Sequence, residues 1–199
     1  MTAARQVIEM PAAGLLGRAR SRAGALGAGV YAALLSFTVL ALVGSIGLVA
    51  RQPWVFPSLG ATVLLFFDAP HSPAARPRNT LVGHLVGITV GACCMVPFHL
   101  AGLPPAPVAG LTSGRVVAGA LSVAVTALVL ALLRNPHPPA GASTLIVSLG
   151  IIGGAGGLAV MVAAVLLVTA VGWGLNVALG VRGIPRSRAR RRTPRRRRR

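Results

Sequence analysis

The chain has 199 residues, 54% of them hydrophobic and 11% charged, with a formal net charge of +18 and a mean hydropathy of +0.76. That balance excludes a soluble globular domain, and the apolar residues fall into runs long enough for a bilayer, so the expected class is an all-α membrane protein. The only acids, Glu9 and Asp68, form no pair, and Cys93 and Cys94 are adjacent inside an apolar run, which suits neither a disulfide framework nor a Cys-x-x-Cys site.

Residues 1–27 form a basic arm in which Arg18, Arg20 and Arg22 precede the first span. The run 28–50 exceeds the roughly 7–15 apolar residues of a signal peptide and reads as a retained first span. A short run at 54–67 follows, then Asp68 and Pro70-His71-Ser72-Pro73. Asp68 can pair with Arg76 or Arg78, and an exposed loop bridge worth about 0–1 kcal/mol is the reading preferred over a gating role. The run 80–98 carries Gly83, Gly87 and Gly91 every fourth residue, a face for close helix packing that turns the neighbouring His84 into the bundle. Pro104-Pro105-Ala106-Pro107 reads as a stiff extracytoplasmic connection. Runs at 116–133, 138–152 and 155–179 complete the hydrophobic domain 28–180, with a glycine-rich break at Gly153, Gly154, Gly156 and Gly157. Residues 181–199 form an arginine-rich tail, expected to be disordered by self-repulsion.

A hydrocarbon core of about 30 Å needs about 20 helical residues, so the four long runs cross it, while 54–67 and 138–152 are short spans, re-entrant segments or half-helices. Arginines gather on the cytoplasmic side, which puts both termini there and requires an even number of crossings. With six, Arg76, Arg78 and Arg134 join the termini and Arg51 and Arg115 lie opposite. With four, Arg51, Arg76, Arg78 and Arg134 would all lie outside. The charges favour a bundle of six segments, four long and two short.

The richest stretch is Asn135-Pro136-His137-Pro138-Pro139-Ala140-Gly141-Ala142-Ser143, a polar, proline-rich break between apolar runs. Proline at the first helical position sacrifices no hydrogen bond, so a helix can open here with free N–H groups near Gly141, Ala142 and Ser143, and such a terminus suits an anion. The plainer reading is that the prolines only stop one helix and start the next. Pro57-Ser58-Leu59-Gly60-Ala61-Thr62-Val63-Leu64 aligns with Pro138 to Leu145 at four of eight positions, sharing Pro-x-x-Gly-Ala-(Thr/Ser). Three segments per half would make a two-fold internal repeat of inverted halves, the arrangement in which transporters bring broken helices together near the midplane.

The order Pro57 to Thr62, Ser72-Pro73 through Pro77-Arg78-Asn79, Gly83-His84, and His137 to Ala142 resembles the HPP family of multi-spanning membrane proteins over about residues 50–180. The resemblance implies a transporter, with nitrite as one precedent among family members. Arg76 departs from it, standing where the family pattern has glutamine.

The polar inventory near the membrane is His84, His137, Arg76, Arg78, Arg134, Asn79, Asn135, Thr62 and Ser143, against Asp68 alone, which favours an anion over a cation. Histidine, with an unperturbed pKa of about 6.5, would carry any proton coupling. The expected substrate-binding residues are Pro57, Ser58, Gly60, Ala61, Thr62, Arg78, Asn79, His84, His137, Pro138, Pro139, Gly141, Ala142 and Ser143. No cofactor, metal or catalytic residue is expected, since Gly-x-Ser-x-Gly, His-Glu-x-x-His and paired carboxylates are all absent from the sequence. The expected function is a transporter or channel for a small anion in the plasma membrane, the alternatives being a lipid-binding scaffold and, behind it, a membrane-embedded enzyme. Expected partners are the anion and anionic lipid at the arginine tail. A homo-oligomer is left open, and nucleic acid is set aside because no aromatic residue interleaves the tail to stack on bases.

Overall fold

The computed structural model describes residues 14–181, so the first part of the basic arm and the arginine tail lie outside the described residues. The described residues form helices and connections, with no strand among them: α1 (Gly14–Ala50), α2 (Pro57–Asp68), α3 (Pro77–Met95), a short α4 (Ala106–Ala109), α5 (Ser113–Leu132), α6 (Pro139–Ser148) and α7 (Gly154–Ala178). Helices α2, α3 and α6 open on proline at the first turn, where the missing N–H costs nothing. Thr112 caps α5, its hydroxyl accepting from the Arg115 N–H.

The six segments expected from hydropathy are present, with α1, α3, α5 and α7 long and apolar enough to cross a membrane. Helix α1 starts earlier than expected, at Gly14 inside the basic arm. Its first turns are set off from the span by a break at Ala23 and Gly24, where Gly24 takes φ 56°. The Leu15 N–H donates to Leu179 O at 3.0 Å and Leu16 is buried, so the arm is tied to the end of α7. Many large apolar side chains face outward, among them Leu26, Phe37, Leu48 and Leu128. On a soluble protein this would be an association liability; in a bilayer it is the lipid surface.

Side-chain register gives the direction of each helix. Tyr31 meets the Phe67 edge with ring centroids 6.4 Å apart, and Gly44 faces Val55, so α1 and α2 are antiparallel. Ser122 bonds Ser148 and Thr126 bonds Thr144, so α5 and α6 are antiparallel too. Gly83, Gly87 and Gly91 face His137, Ala140 and Thr144 in order, so α3 runs parallel to α6, and the small-residue face is where α6 packs. Asn176 donates to Phe66 O at 2.9 Å and Gly172 abuts the Phe66 ring, setting the end of α2 beside the end of α7.

Both short helices therefore go from one face of the bundle to the other. Helix α2 starts from the end of α1 and ends beside the end of α7, whereas α6 starts beside residues 74–79 and ends where Leu149 O accepts from the Ala106 N–H at 2.9 Å. At 12 and 10 residues they span only about 18 and 15 Å, well short of a hydrocarbon core of about 30 Å. The shortfall is covered by the connections on one face, which dip into the bundle: Ala74, Ala75, Asn135 and His137 are all buried. That face carries Arg18, Arg20, Arg22, Arg76, Arg78 and Arg134, all exposed. The opposite face has Arg51 and Arg115, and Arg115 is buried, donating to the carbonyls of Gly110 and Pro104.

Asp68 does not form the expected bridge. It is exposed, as are Arg76 and Arg78, and its carboxylate enters no ion pair or side-chain hydrogen bond among the described residues, each charge being left to solvent. The pattern of helix packing is unchanged when α1, α2 and α3 are exchanged for α5, α6 and α7: α1 packs on α2 as α5 on α6, α2 on α7 as α6 on α3, and α1 on α7 as α5 on α3. Helices α2 and α6 pack on each other at the centre.

Candidate functional site

Four side chains from three helices and one connection meet where α2 and α6 touch. Thr62 lies in the second turn of α2, His84 two turns into α3, Ser143 in the second turn of α6, and His137 just ahead of α6. All are at most 2% exposed. Thr62 Oγ1 lies 2.9 Å from His84 Nε2, Ser143 Oγ 2.6 Å from His84 Nδ1, and the two histidine Nε2 atoms 3.2 Å apart. The rings meet edge to face with centroids 4.8 Å apart. Residues at matching positions of the two Pro-x-x-Gly-Ala motifs, Thr62 and Ser143, thus hold opposite nitrogens of one histidine.

The partners fix the proton positions in the uncharged pair. Ala74 O, 2.9 Å from His137 Nδ1, can only accept, so that nitrogen carries a proton and His137 Nε2 is bare. His84 Nε2 must then donate toward His137 Nε2, which leaves His84 Nδ1 to accept from the Ser143 hydroxyl. Thr62 sends its own proton to Ser58 O at 2.9 Å and receives the other branch of the His84 N–H. The result is a directed chain from Ser143 through His84 and His137 to Ala74.

The scaffold around this chain is tight. A Cβ at Gly83 would lie 2.7 Å from His137 Cβ, and one at Gly87 would lie 2.6 Å from Ala140 O. Asn79 donates to Pro73 O at 2.9 Å, and Asn135 donates to Asn79 O at 3.0 Å, binding the two dipping connections together. Arg134 takes a left-handed conformation, φ 51°, immediately after α5, and this turns Asn135 inward.

The expected site residues separate into two groups. Ser58, Thr62, Asn79, His84, His137, Pro139 and Ser143 are buried, and four of them form the central chain. Pro57, Ala61, Pro138 and Arg78 are exposed, and Gly60, Gly141 and Ala142 are half-buried. The free N–H groups expected at the start of α6 are largely occupied: Ala140 donates to His137 O and Gly141 to Pro138 O, both at 3.0 Å, while in α2 Leu59 donates to Phe56 O at 2.9 Å. Tight first turns close these donors, so the helix starts contribute through second-turn hydroxyls rather than through backbone N–H groups.

The site also uses groups outside the expected set. These are the Ala74 carbonyl and Asn135, with two hydroxyl pairs extending from Ser143 along α5 and α6: Thr126 with Thr144 at 3.0 Å and Ser122 with Ser148 at 3.1 Å. Ser122 and Thr126 stand four apart on α5, and Thr144 and Ser148 four apart on α6, a spacing that places the hydroxyls on one face of each helix and was visible in the sequence. Near the site, the buried oxygens Ser58 Oγ and Asn135 Oδ1 have no hydrogen-bond partner among the described residues. A groove of about 530 Å³ opens between α5 and the start of α6, lined by Val123, Ala127, Leu130 and Ala131, with Asn135 and His137 also on its wall and Arg134 among its lining.

Residues 21–188 match the transmembrane region of the HPP family. Two transmembrane proteins of Dictyostelium discoideum are similar to the chain. One is 35% identical over 89 residues, covering 45% of this chain and 25% of the relative, and the other is 29% identical over 122 residues, covering 59% and 39%. The chain thus spans well under half the length of these curated relatives. No solved structure matches it.

Proposed function

The chain belongs to the HPP transmembrane family, and from the centre of its bundle we propose that this integral membrane protein is a transporter or channel for a small anion. The observation that carries the reading is the buried chain Ser143–His84–His137, joined by Thr62, where the two short helices meet. Buried polar groups in a membrane bundle are costly and mark solute paths, and this set supplies N–H and O–H donors with no carboxylate beside it. Nitrite, the precedent among family members, is the first solute to test.

In this reading the two helix trios are inverted repeats, and passage requires the histidine pair to part. The arginine-rich face is cytoplasmic in the plasma membrane, with the tail against anionic lipid. No enzymatic step is involved. The test is uptake of nitrite, nitrate and chloride by proteoliposomes of the full chain, with His137→Ala alongside. Saturable uptake lost in an inserted, folded variant supports the proposal; uptake no faster than in protein-free vesicles overturns it.

A second reading, a lipid-binding protein without transport, draws on the apolar groove beside His137 and the exposed Arg134 at its edge. Lipid binding that survives His137→Ala in a protein showing no flux would favour it.

A further inference from the structure

We propose that the His84–His137 pair is a one-proton switch whose protonated form is the anion site, so that anion and proton enter together in equal number. The inference rests on the transport reading above and names its coupling.

In the uncharged pair every ring nitrogen is engaged, and no N–H is left for a solute. His84 Nε2 donates to His137 Nε2 and to Thr62, His84 Nδ1 accepts from Ser143, and His137 Nδ1 donates to Ala74 O. A proton arriving from solvent takes the lone pair of His137 Nε2. One N–H bond forms, the O–H bond of the hydronium that delivers the proton breaks and leaves water, and the hydrogen bond between the rings is lost. Two N–H groups then face one another across a contact that measured 3.2 Å, and they repel.

Both rings are held from behind, His84 by Ser143 and His137 by Ala74. Parting therefore opens a gap with both Nε2–H donors still aimed into it and the Thr62 hydroxyl at its edge. A small monovalent anion in that gap accepts both donors and cancels the added charge. Uncompensated charge in a bundle interior is strongly disfavoured, so neither ion is stable there without the other.

The surroundings supply no alternative counter-ion. From α2 the pair meets Thr62, whose hydroxyl is bonded to Ser58 O; from α6, Ser143; and from the connection before α3, the Ala74 carbonyl. From the α5 end come Asn135 and the exposed Arg134. Asp68, Arg76 and Arg78 are exposed at the face, and no other titratable side chain among the described residues contacts the pair. The negative charge must be brought by the solute.

The test uses the full chain in vesicles loaded with a pH-sensitive dye, with membrane potential clamped by potassium and valinomycin. Chloride and nitrate are the probes, because they stay ionised and do not cross lipid as neutral acids. The expected result is acidification of the lumen on anion entry, near one proton per anion, and an apparent affinity for the anion that rises by about tenfold for each pH unit lowered on the alkaline side. Saturable anion flux that carries no protons, or that is unchanged between mildly acidic and mildly alkaline buffer, overturns this proposal and leaves the transport reading standing. Absence of saturable flux for chloride and nitrate here, and for nitrite in the uptake assay above, overturns both.

His137→Gln retains an acceptor toward His84 and a donor toward Ala74 but takes up no proton, so a folded variant should show no proton-linked flux. Retention of such flux overturns the proposal. If the variant does not fold, the wild-type pH series decides alone.

Discussion

Gly83 and His137 are in direct contact: a Cβ on Gly83 would stand 2.7 Å from His137 Cβ and 2.9 Å from Cδ2. Real carbon atoms do not approach that closely, so any side chain at position 83 must push His137 out of place. Gly83→Ala should destabilise the protein by about 1–3 kcal/mol, the usual range for overpacking, and should remove flux, because His137 then loses its register with His84 and Ala74. Thermal unfolding in detergent and anion uptake check this together. Normal uptake by Gly83→Ala would mean that His137 is free to move without consequence.

Gly60 and Gly141 stand at the same place in the two Pro-x-x-Gly-Ala motifs, and a Cβ on either meets nothing within 4 Å. Both lie inside helices with open space around them. Gly60→Ala and Gly141→Ala should keep flux and raise stability, by up to about 1 kcal/mol from helix propensity. Loss of uptake in either variant would show that the backbone at these helix starts touches the solute, as the sequence alone suggested.

Ser143, fully buried, is the only partner of His84 Nδ1 among the described residues, at 2.6 Å. Ser143→Ala leaves that nitrogen buried and unbonded, at a cost of about 1–3 kcal/mol, and frees the ring to turn. Ser143→Thr retains the hydroxyl and should recover most of the loss. Melting temperature and uptake, measured on both variants, should fall and recover in step; an unchanged Ser143→Ala would remove Ser143 from the chain.

How much of this was legible beforehand differs from residue to residue. His84, Thr62, His137 and Ser143 could all be named, because polar groups stand out in apolar runs and the two proline motifs align. Their mutual bonding could not, since it depends on the directions of α2 and α6, which short runs leave open between crossing and re-entry. The Ala74 carbonyl was invisible because every residue has one. Helix α1 was expected at residue 28 because alternating arginines mask its first turns, which are held by Leu16 packing and the Leu15 bond to Leu179. The anion-ready N–H groups of α6 were expected from proline placement, but Pro138 itself takes a helical conformation, φ −53° and ψ −35°, and the turn it makes closes on Gly141.

Arg115 is 5% exposed and donates to the carbonyls of Gly110 and Pro104. It fastens the 96–112 connection to the start of α5, far along the bundle from the histidines. Arg115→Ala strands those two carbonyls and loses charge-assisted bonds, each worth about 1.5–3 kcal/mol. Limited proteolysis should cut faster within residues 100–112, while uptake per folded molecule should stay close to wild type. A variant no more sensitive to protease would show that the connection is held by its prolines alone.

The direction of α2 makes the final prediction. If it crosses the bundle, Gln52 and Ser72 lie on opposite faces; if it turned back, they would share one. Both are accessible for labelling, Gln52 being exposed and Ser72 partly so. In a background with Cys93 and Cys94 replaced by alanine, Gln52→Cys and Ser72→Cys should react with a membrane-impermeant maleimide from opposite sides of sealed vesicles. Ser72→Cys should share its side with Arg134→Cys, because His137 bonded to Ala74 fixes the two dipping connections to one face. Labelling of positions 52 and 72 from the same side would reduce the crossings to four. It would also place the arginines at 51, 76, 78 and 134 together, against the charge asymmetry that orients membrane helices.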